Sequence, residues 1–245
     1  MRGFLTALRF LTVFRVGGES AAGPGEIGRS MVYFPLVGAV QGVVLAVCDG
    51  LFTALFPAGV SSALVVAVLA LTNGGLHLDG FVDTVDGLAG GSTPEERLRI
   101  MREAGAGAVG AAAVAIFVAA LVSALSALPE GERTASLLLM PVVARWAMVP
   151  MAFWGGYARS TPGLGAAFTG RDGATAAAAT AMTALLLLPF FGPASLWMLL
   201  VVLGLVRSLT AFFTARLGGV TGDCFGFTTE VAALAFLLCL LAYFG

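Results

Sequence analysis

The residues with the strongest chemical signature run Asn73-Gly-Gly-Leu-His77-Leu-Asp79-Gly-Phe-Val-Asp83-Thr-Val-Asp86-Gly. Asp79, Asp83 and Asp86 are spaced i, i+4, i+7. At ~100° per residue this spacing puts all three within about 60° of one another on a helix. Three carboxylates on one face repel at close range. A hard divalent cation removes that repulsion, and carboxylate oxygens are the ligands Mg²⁺ prefers. The same spacing turns His77 to roughly the opposite side of the wheel, although Gly80 leaves the continuity of the helix open. His77 is the sole histidine; it is a candidate general base, beside the blander reading of a hydrogen-bonded structural histidine.

A second acidic pair lies in Gly218-Gly-Val-Thr221-Gly-Asp223-Cys-Phe-Gly-Phe-Thr228-Thr-Glu230. Asp223 and Glu230 are seven residues apart, again on one helical face, so they are candidates to complete a metal shell. The Gly-rich turn and Thr221 offer backbone and hydroxyl donors to a phosphate, and the alternative is that Asp223 caps the last helix. Glu95-Glu-Arg97-Leu-Arg99-Ile-Met-Arg102-Glu103 follows an ordinary helix start at Thr93-Pro94. Arg102 there, together with Arg145 and Arg159, is a candidate to bind substrate phosphate. Arg145 and Arg207 sit inside apolar runs, where such residues face a cavity or an acidic partner.

The elements that must position these residues are membrane helices. The chain has 245 residues, 59% hydrophobic and 11% charged, with mean hydropathy +0.98. Soluble domains carry about 25% charge. Apolar runs of about 20 residues recur, and they are too long for barrel strands, so the fold class is all-α: a polytopic integral membrane bundle. About seven spans are expected, near 31–56, 60–78, 107–128, 134–154, 175–190, 194–214 and 226–244, in one domain covering 1–245. Met1–Arg15 reads as an amphipathic helix lying at the membrane interface. Abundant Gly and Ala permit tight helix packing and self-association.

All thirteen basic residues are arginine, which excludes lysine-based chemistry. The net charge of −1 gives no field for nucleic acid. The three cysteines form no CxxC pair and suggest neither zinc nor disulfides. Arginines concentrate before the first span and in the loops after spans two, four and six, with Arg133 alone on the other side. The positive-inside rule then puts the N-terminus and the acidic motifs on the cytoplasmic side of the cell membrane.

Four segments together resemble the cobalamin (5′-phosphate) synthase family, also called adenosylcobinamide-GDP ribazoletransferase. They are Phe34-Pro35-Leu-Val-Gly38, the His77/Asp79/Asp83/Asp86 element, Arg145 with Tyr157-Ala-Arg159, and Gly218-Gly-Val-Thr-Gly-Asp223 with Glu230. They occur in order along nearly the whole chain. One departure stands out: after Arg102 the family commonly carries a further basic residue, where this chain reads Glu103-Ala-Gly105. If that residue binds phosphate in relatives, Arg102 or Arg99 must substitute, or binding is weaker.

The resemblance implies a membrane enzyme late in corrinoid assembly that joins adenosylcobinamide-GDP to α-ribazole or its 5′-phosphate and releases GMP, with Mg²⁺ as cofactor. Asp79, Asp83, Asp86, Asp223 and Glu230 would be the metal ligands, and His77 or Asp83 the catalytic base. Arg102, Arg145, Arg159 and Thr221 would bind substrate. The alternatives are a CDP-alcohol phosphotransferase, a UbiA-like prenyltransferase and, in another class, a transporter. Against the transporter, no inverted repeat is visible and the acids gather at one membrane face.

Overall fold

The computed structural model describes residues 2–16, 23–160, 163–170 and 172–245. Arg171 lies outside the described residues. Among those described there are eleven α-helices: α1 (Arg2–Leu11), α2 (Pro24–Arg29), α3 (Phe34–Thr53), α4 (Ala58–Thr72), α5 (Leu76–Gly90), α6 (Pro94–Ile100), α7 (Ala108–Ser126), α8 (Glu130–Trp154), α9 (Gly173–Phe191), α10 (Ala194–Leu217) and α11 (Gly222–Phe244). Six stretches, Gly25–Thr53 (α2 from its second residue, the following turn and α3) and the helices α7 to α11, are long and apolar enough to cross a membrane. α4 and α5 together qualify as a seventh, bent by 91°. The expected all-α membrane bundle is what forms.

The second expected span needs correction. The segment 60–78 is not one helix. It breaks at Asn73-Gly74-Gly75, where Gly74 and Gly75 take φ of 62° and 73°, a left-handed backbone that side-chain-bearing residues avoid. α4 has 15 residues, about 22 Å of rise, which is short of a hydrocarbon core of about 30 Å. His77 and Leu78, expected at the end of this span, belong to the next helix. α5 itself runs without interruption through Gly80.

α8 is the hub, and its spanning stretch is the most buried of the six. α3 packs most extensively against it. The reason lies in Gly38 and Gly42, a small-xxx-small pair one helical turn apart. A methyl on Gly38 would strike the Pro141 carbonyl, and one on Gly42 the Leu138 carbonyl. Far from the acidic motifs, Arg133 on α8 forms a buried pair with Asp49 on α3, its Nη2 donating to Oδ1 at 2.7 Å. The same guanidinium donates to Ser62 Oγ and to the Leu125 carbonyl, so it ties α3, α4, α7 and α8 together at that end.

At the other end the loops are joined to each other. Val220 N donates to the Gly156 carbonyl at 2.8 Å, and Ala158 N to the Val220 carbonyl at 3.0 Å, a short parallel clip between the turns after α8 and α10. Arg97 reaches from α6 to the carbonyls of Arg216, Gly91 and Ser92. α1 rests on this end with Ala7, Leu8 and Leu11 buried, and the backbone after it is held where Val13 N meets the Thr72 carbonyl.

Candidate active site

α5 and α11 bring the two acidic motifs together. They cross at Gly80 and Gly226. An added methyl on Gly80 would lie 2.9 Å from the Asp223 carbonyl, and one on Gly226 would lie 3.1 Å from that of His77. Only hydrogen at both positions lets the backbones approach this closely. The crossing sets Asp79 and Asp83 on α5 opposite Asp223 in the first turn of α11. Asp83 interacts electrostatically with Asp79, Asp223 and Asp86, and with Arg159.

Of these groups, Asp79, Asp223 and Arg159 border a cavity of about 210 Å³ lined also by His77 and Tyr157 among others, while Asp83 faces the adjoining space beside Glu103 and Gly105. Its apolar wall includes Phe10 of α1, Phe168 and Phe225. Phe168 links that wall together, with ring centroids 4.9 Å from Phe10 and 5.9 Å from Phe225. Arg159 Nη2 donates to Asp223 Oδ2 at 2.8 Å. The Arg159 Nε is buried without a hydrogen-bond partner, and so are both ring nitrogens of His77. Buried polar groups are ordinarily satisfied, so these unmet atoms beside a cavity leave donor and acceptor capacity for a bound molecule or ordered water.

Several candidates lie elsewhere than expected. Glu230 is 3% exposed and Arg145 1%; the two are electrostatic partners inside the bundle, away from the aspartates. Arg145 Nη2 donates to Asn73 Oδ1 at 2.5 Å, and Gln41 donates to the same oxygen. These residues therefore tie the α4–α5 bend to α3, α8 and α11. Thr221 is also fully buried. Its hydroxyl accepts from Cys224 N and donates to Asp223 at 3.1 Å, so Thr221, not Asp223, caps α11 and holds the aspartate in place.

Asp86 is turned toward α7, where its two oxygens accept from Gly107 N and Gly110 N, each at 2.7 Å. That makes it the cap of a neighbouring helix. Arg207 is exposed, with its guanidinium 5.7 Å above the Trp154 ring, instead of meeting a cavity or an acid. Arg102 is exposed and lines a second pocket together with Arg99 and Arg159. Phe10 is the site residue least visible in the sequence; its signal was its place on the apolar side of α1.

Among the described residues, no three His, Cys, Asp or Glu side chains converge closely enough to hold a metal by themselves. The donor set nonetheless suits Mg²⁺. Asp79, Asp83 and Asp223 offer only hard oxygens, and Mg²⁺ is typically held by one or two carboxylates plus substrate phosphates rather than by an all-protein cage.

The model of the cobalamin-5-phosphate synthase family matches residues 3–241. The chain belongs to that family. Among similar curated proteins, the adenosylcobinamide-GDP ribazoletransferase of Syntrophobacter fumaroxidans is 38% identical over 240 residues, covering 96% of each chain. The protein of the same name in Geotalea daltonii is 36% identical, covering 100% of this chain and 99% of its own. That of Pseudomonas savastanoi pv. phaseolicola is 36% identical, covering 98% and 99%. No solved structure matches the chain. Membership places the α5–α11 crossing in a family of membrane transferases.

Proposed function

We propose that this family member joins adenosylcobinamide-GDP to α-ribazole 5′-phosphate, or to α-ribazole, releasing GMP. The observation that carries the assignment of the site is the meeting of Asp79 with Asp223 and Arg159 at one cavity, with Asp83 in electrostatic reach of all three. In this reaction an acceptor hydroxyl oxygen bonds to the cobinamide-linked phosphorus, and the bond from that phosphorus to the GMP oxygen breaks. The chemistry needs charge neutralisation and in-line placement. Asp79, Asp83 and Asp223 would hold Mg²⁺ together with substrate oxygens. The bound ion supplies charge neutralisation at the bridging and leaving oxygens.

Arg159 steadies Asp223 and presents its remaining donors to phosphate. The hydroxyl proton passes to a carboxylate of the set not committed to the ion, or to His77, whose ring nitrogens face no protein partner. The aromatic wall of Phe10, Phe168 and Phe225 excludes water and offers stacking surface to a base. The concentration of arginine at this end of the bundle supports a cytoplasmic N-terminus and a cytoplasmic site, where nucleotides are available.

The test is turnover by the full chain in lipid with adenosylcobinamide-GDP, α-ribazole 5′-phosphate and Mg²⁺, against an EDTA control. Mg²⁺-dependent formation of GMP and corrinoid product is expected. Asp83→Asn should lower kcat by at least about 100-fold, the range for loss of an acid–base group, while still inserting. Release of CMP or pyrophosphate from other donors, with no GMP, would overturn the assignment. Full turnover by Asp83→Asn would remove that residue from the chemistry.

A further inference from the structure

A second pocket adjoins the first through a single side chain. It has a volume of about 580 Å³ and is lined by Arg99 and Arg102 at the end of α6, by Arg159 and Ser160 after α8, and by Gly218 at the end of α10. Arg159 therefore borders both spaces, with Nη2 on Asp223 and its Nε buried without a partner. The pocket is held rigidly: Arg97 fastens α6 to the Arg216 carbonyl, and the Gly156–Val220 clip fixes the loop that carries Arg159. Three guanidiniums against Glu95 give the lining a cationic balance. Arg99 pairs with Glu103, and the two side chains are 65% and 55% exposed. Water screens so open a pair, and it yields readily to a stronger anion.

We infer that Arg99, Arg102 and Arg159 receive the 5′-phosphate of the acceptor nucleotide and so set the preference between α-ribazole 5′-phosphate and α-ribazole; this rests on the reaction proposed above. The two phosphates of the donor must lie at the carboxylates, because the bond between them is the one that breaks. An acceptor 5′-phosphate is remote from the reacting hydroxyl by about the span of one ribose, a distance comparable to one arginine side chain. The arginine pocket lies across Arg159 from the aspartates, one guanidinium bordering both spaces. A phosphomonoester dianion matches a guanidinium fork through paired charge-assisted hydrogen bonds, and none of the carboxylates at the first cavity could serve it.

The experiment compares wild type with Arg99→Gln, Arg102→Gln and the double variant. The full chain is reconstituted in neutral phosphatidylcholine vesicles and, separately, in vesicles with anionic lipid. KM is measured for α-ribazole 5′-phosphate and for α-ribazole at saturating adenosylcobinamide-GDP, together with GMP inhibition. Each substitution should raise KM for the phosphorylated acceptor, relative to α-ribazole, by about tenfold or more, the loss expected for one charge-assisted hydrogen bond. GMP inhibition should be unaltered.

An equal effect on both acceptors overturns the inference, as does a change confined to GMP inhibition or to KM for the donor, which would make this the leaving nucleotide's site. A defect that appears only with anionic lipid overturns it in favour of headgroup binding. A wild type that turns over both acceptors without preference also sinks it while leaving the reaction intact. A wild type that turns over neither removes the reaction itself.

Discussion

Replacing Gly80 by alanine tests whether the α5–α11 crossing is what makes the site. The new methyl would lie 2.9 Å from the Asp223 carbonyl oxygen and 3.0 Å from the Asp223 Cα. Both atoms are backbone, so no rotamer change relieves the contact. Carbon contacts are comfortable at about 3.5 Å and beyond, and the two helices must separate by about half an ångström or more. Overpacking of this kind costs about 1–3 kcal/mol, and alanine returns about 1 kcal/mol of helix propensity relative to glycine. The net loss of stability is therefore small and the protein still folds.

The separation acts directly on the distance between Asp79, Asp83 and Asp223. Displacement of about 1 Å in a reacting constellation costs about 100-fold, so Gly80→Ala should lower kcat by about 10- to 100-fold. Gly226→Ala, whose methyl meets His77 backbone at 3.1 Å, should lower it less. Gly204→Ala, with nothing within 4 Å of its added methyl, serves as the control. The assay is GMP release in lipid with thermal inactivation measured in parallel. Wild-type kcat in Gly80→Ala would refute the reasoning, and so would an activity loss that merely tracks the fraction unfolded.

Two further substitutions separate scaffold from site. Asp86→Ala should destabilise the protein by about 1–2 kcal/mol through loss of the α7 cap, read as earlier thermal inactivation, with the Mg²⁺ concentration for half-maximal rate unchanged; a shift in that concentration would make Asp86 a metal ligand after all. Arg133→Met should cost about 3–5 kcal/mol by leaving Asp49 buried and unpaired. Adding Asp49→Leu should recover much of it, with activity per folded molecule unaltered throughout, and no recovery in the double variant would show that the pair is not the source of the loss.

The acid spacing on α5 was legible because helical periodicity needs only local sequence, and the apolar runs gave six of the seven expected spans with small boundary shifts. The second span misled because Leu76 and Leu78 continue the apolar run past a break that Asn73-Gly-Gly imposes through backbone angle. Apart from Thr221, whose partners are the neighbouring Asp223 and Cys224, the candidates that moved depend on partners distant in sequence. Asp86 looked like a third metal ligand until Gly107 and Gly110 presented their N–H groups to it. Glu230 shares a face with Asp223 on α11, but it lies about two turns deeper, where Arg145 arrives from α8. Periodicity assigns a face, and it does not say how far along the helix axis the site extends. Arg133 and Asp49 are 84 residues apart, and nothing local marks them as a pair.

The order in which the chain is made gives the α5–α11 crossing a further meaning. One half of the site is carried on residues 76–90 and the other opens α11, Gly222–Phe244. During synthesis the membrane receives α5 long before its partner exists, and the intervening α7, α8, α9 and α10 must all be inserted before Asp223 can face Asp79. A nascent or prematurely terminated chain thus carries the larger acidic motif without the ability to use it. The site exists only once α11 has joined α5, so the insertion of that helix is the step of biogenesis that brings the two halves together.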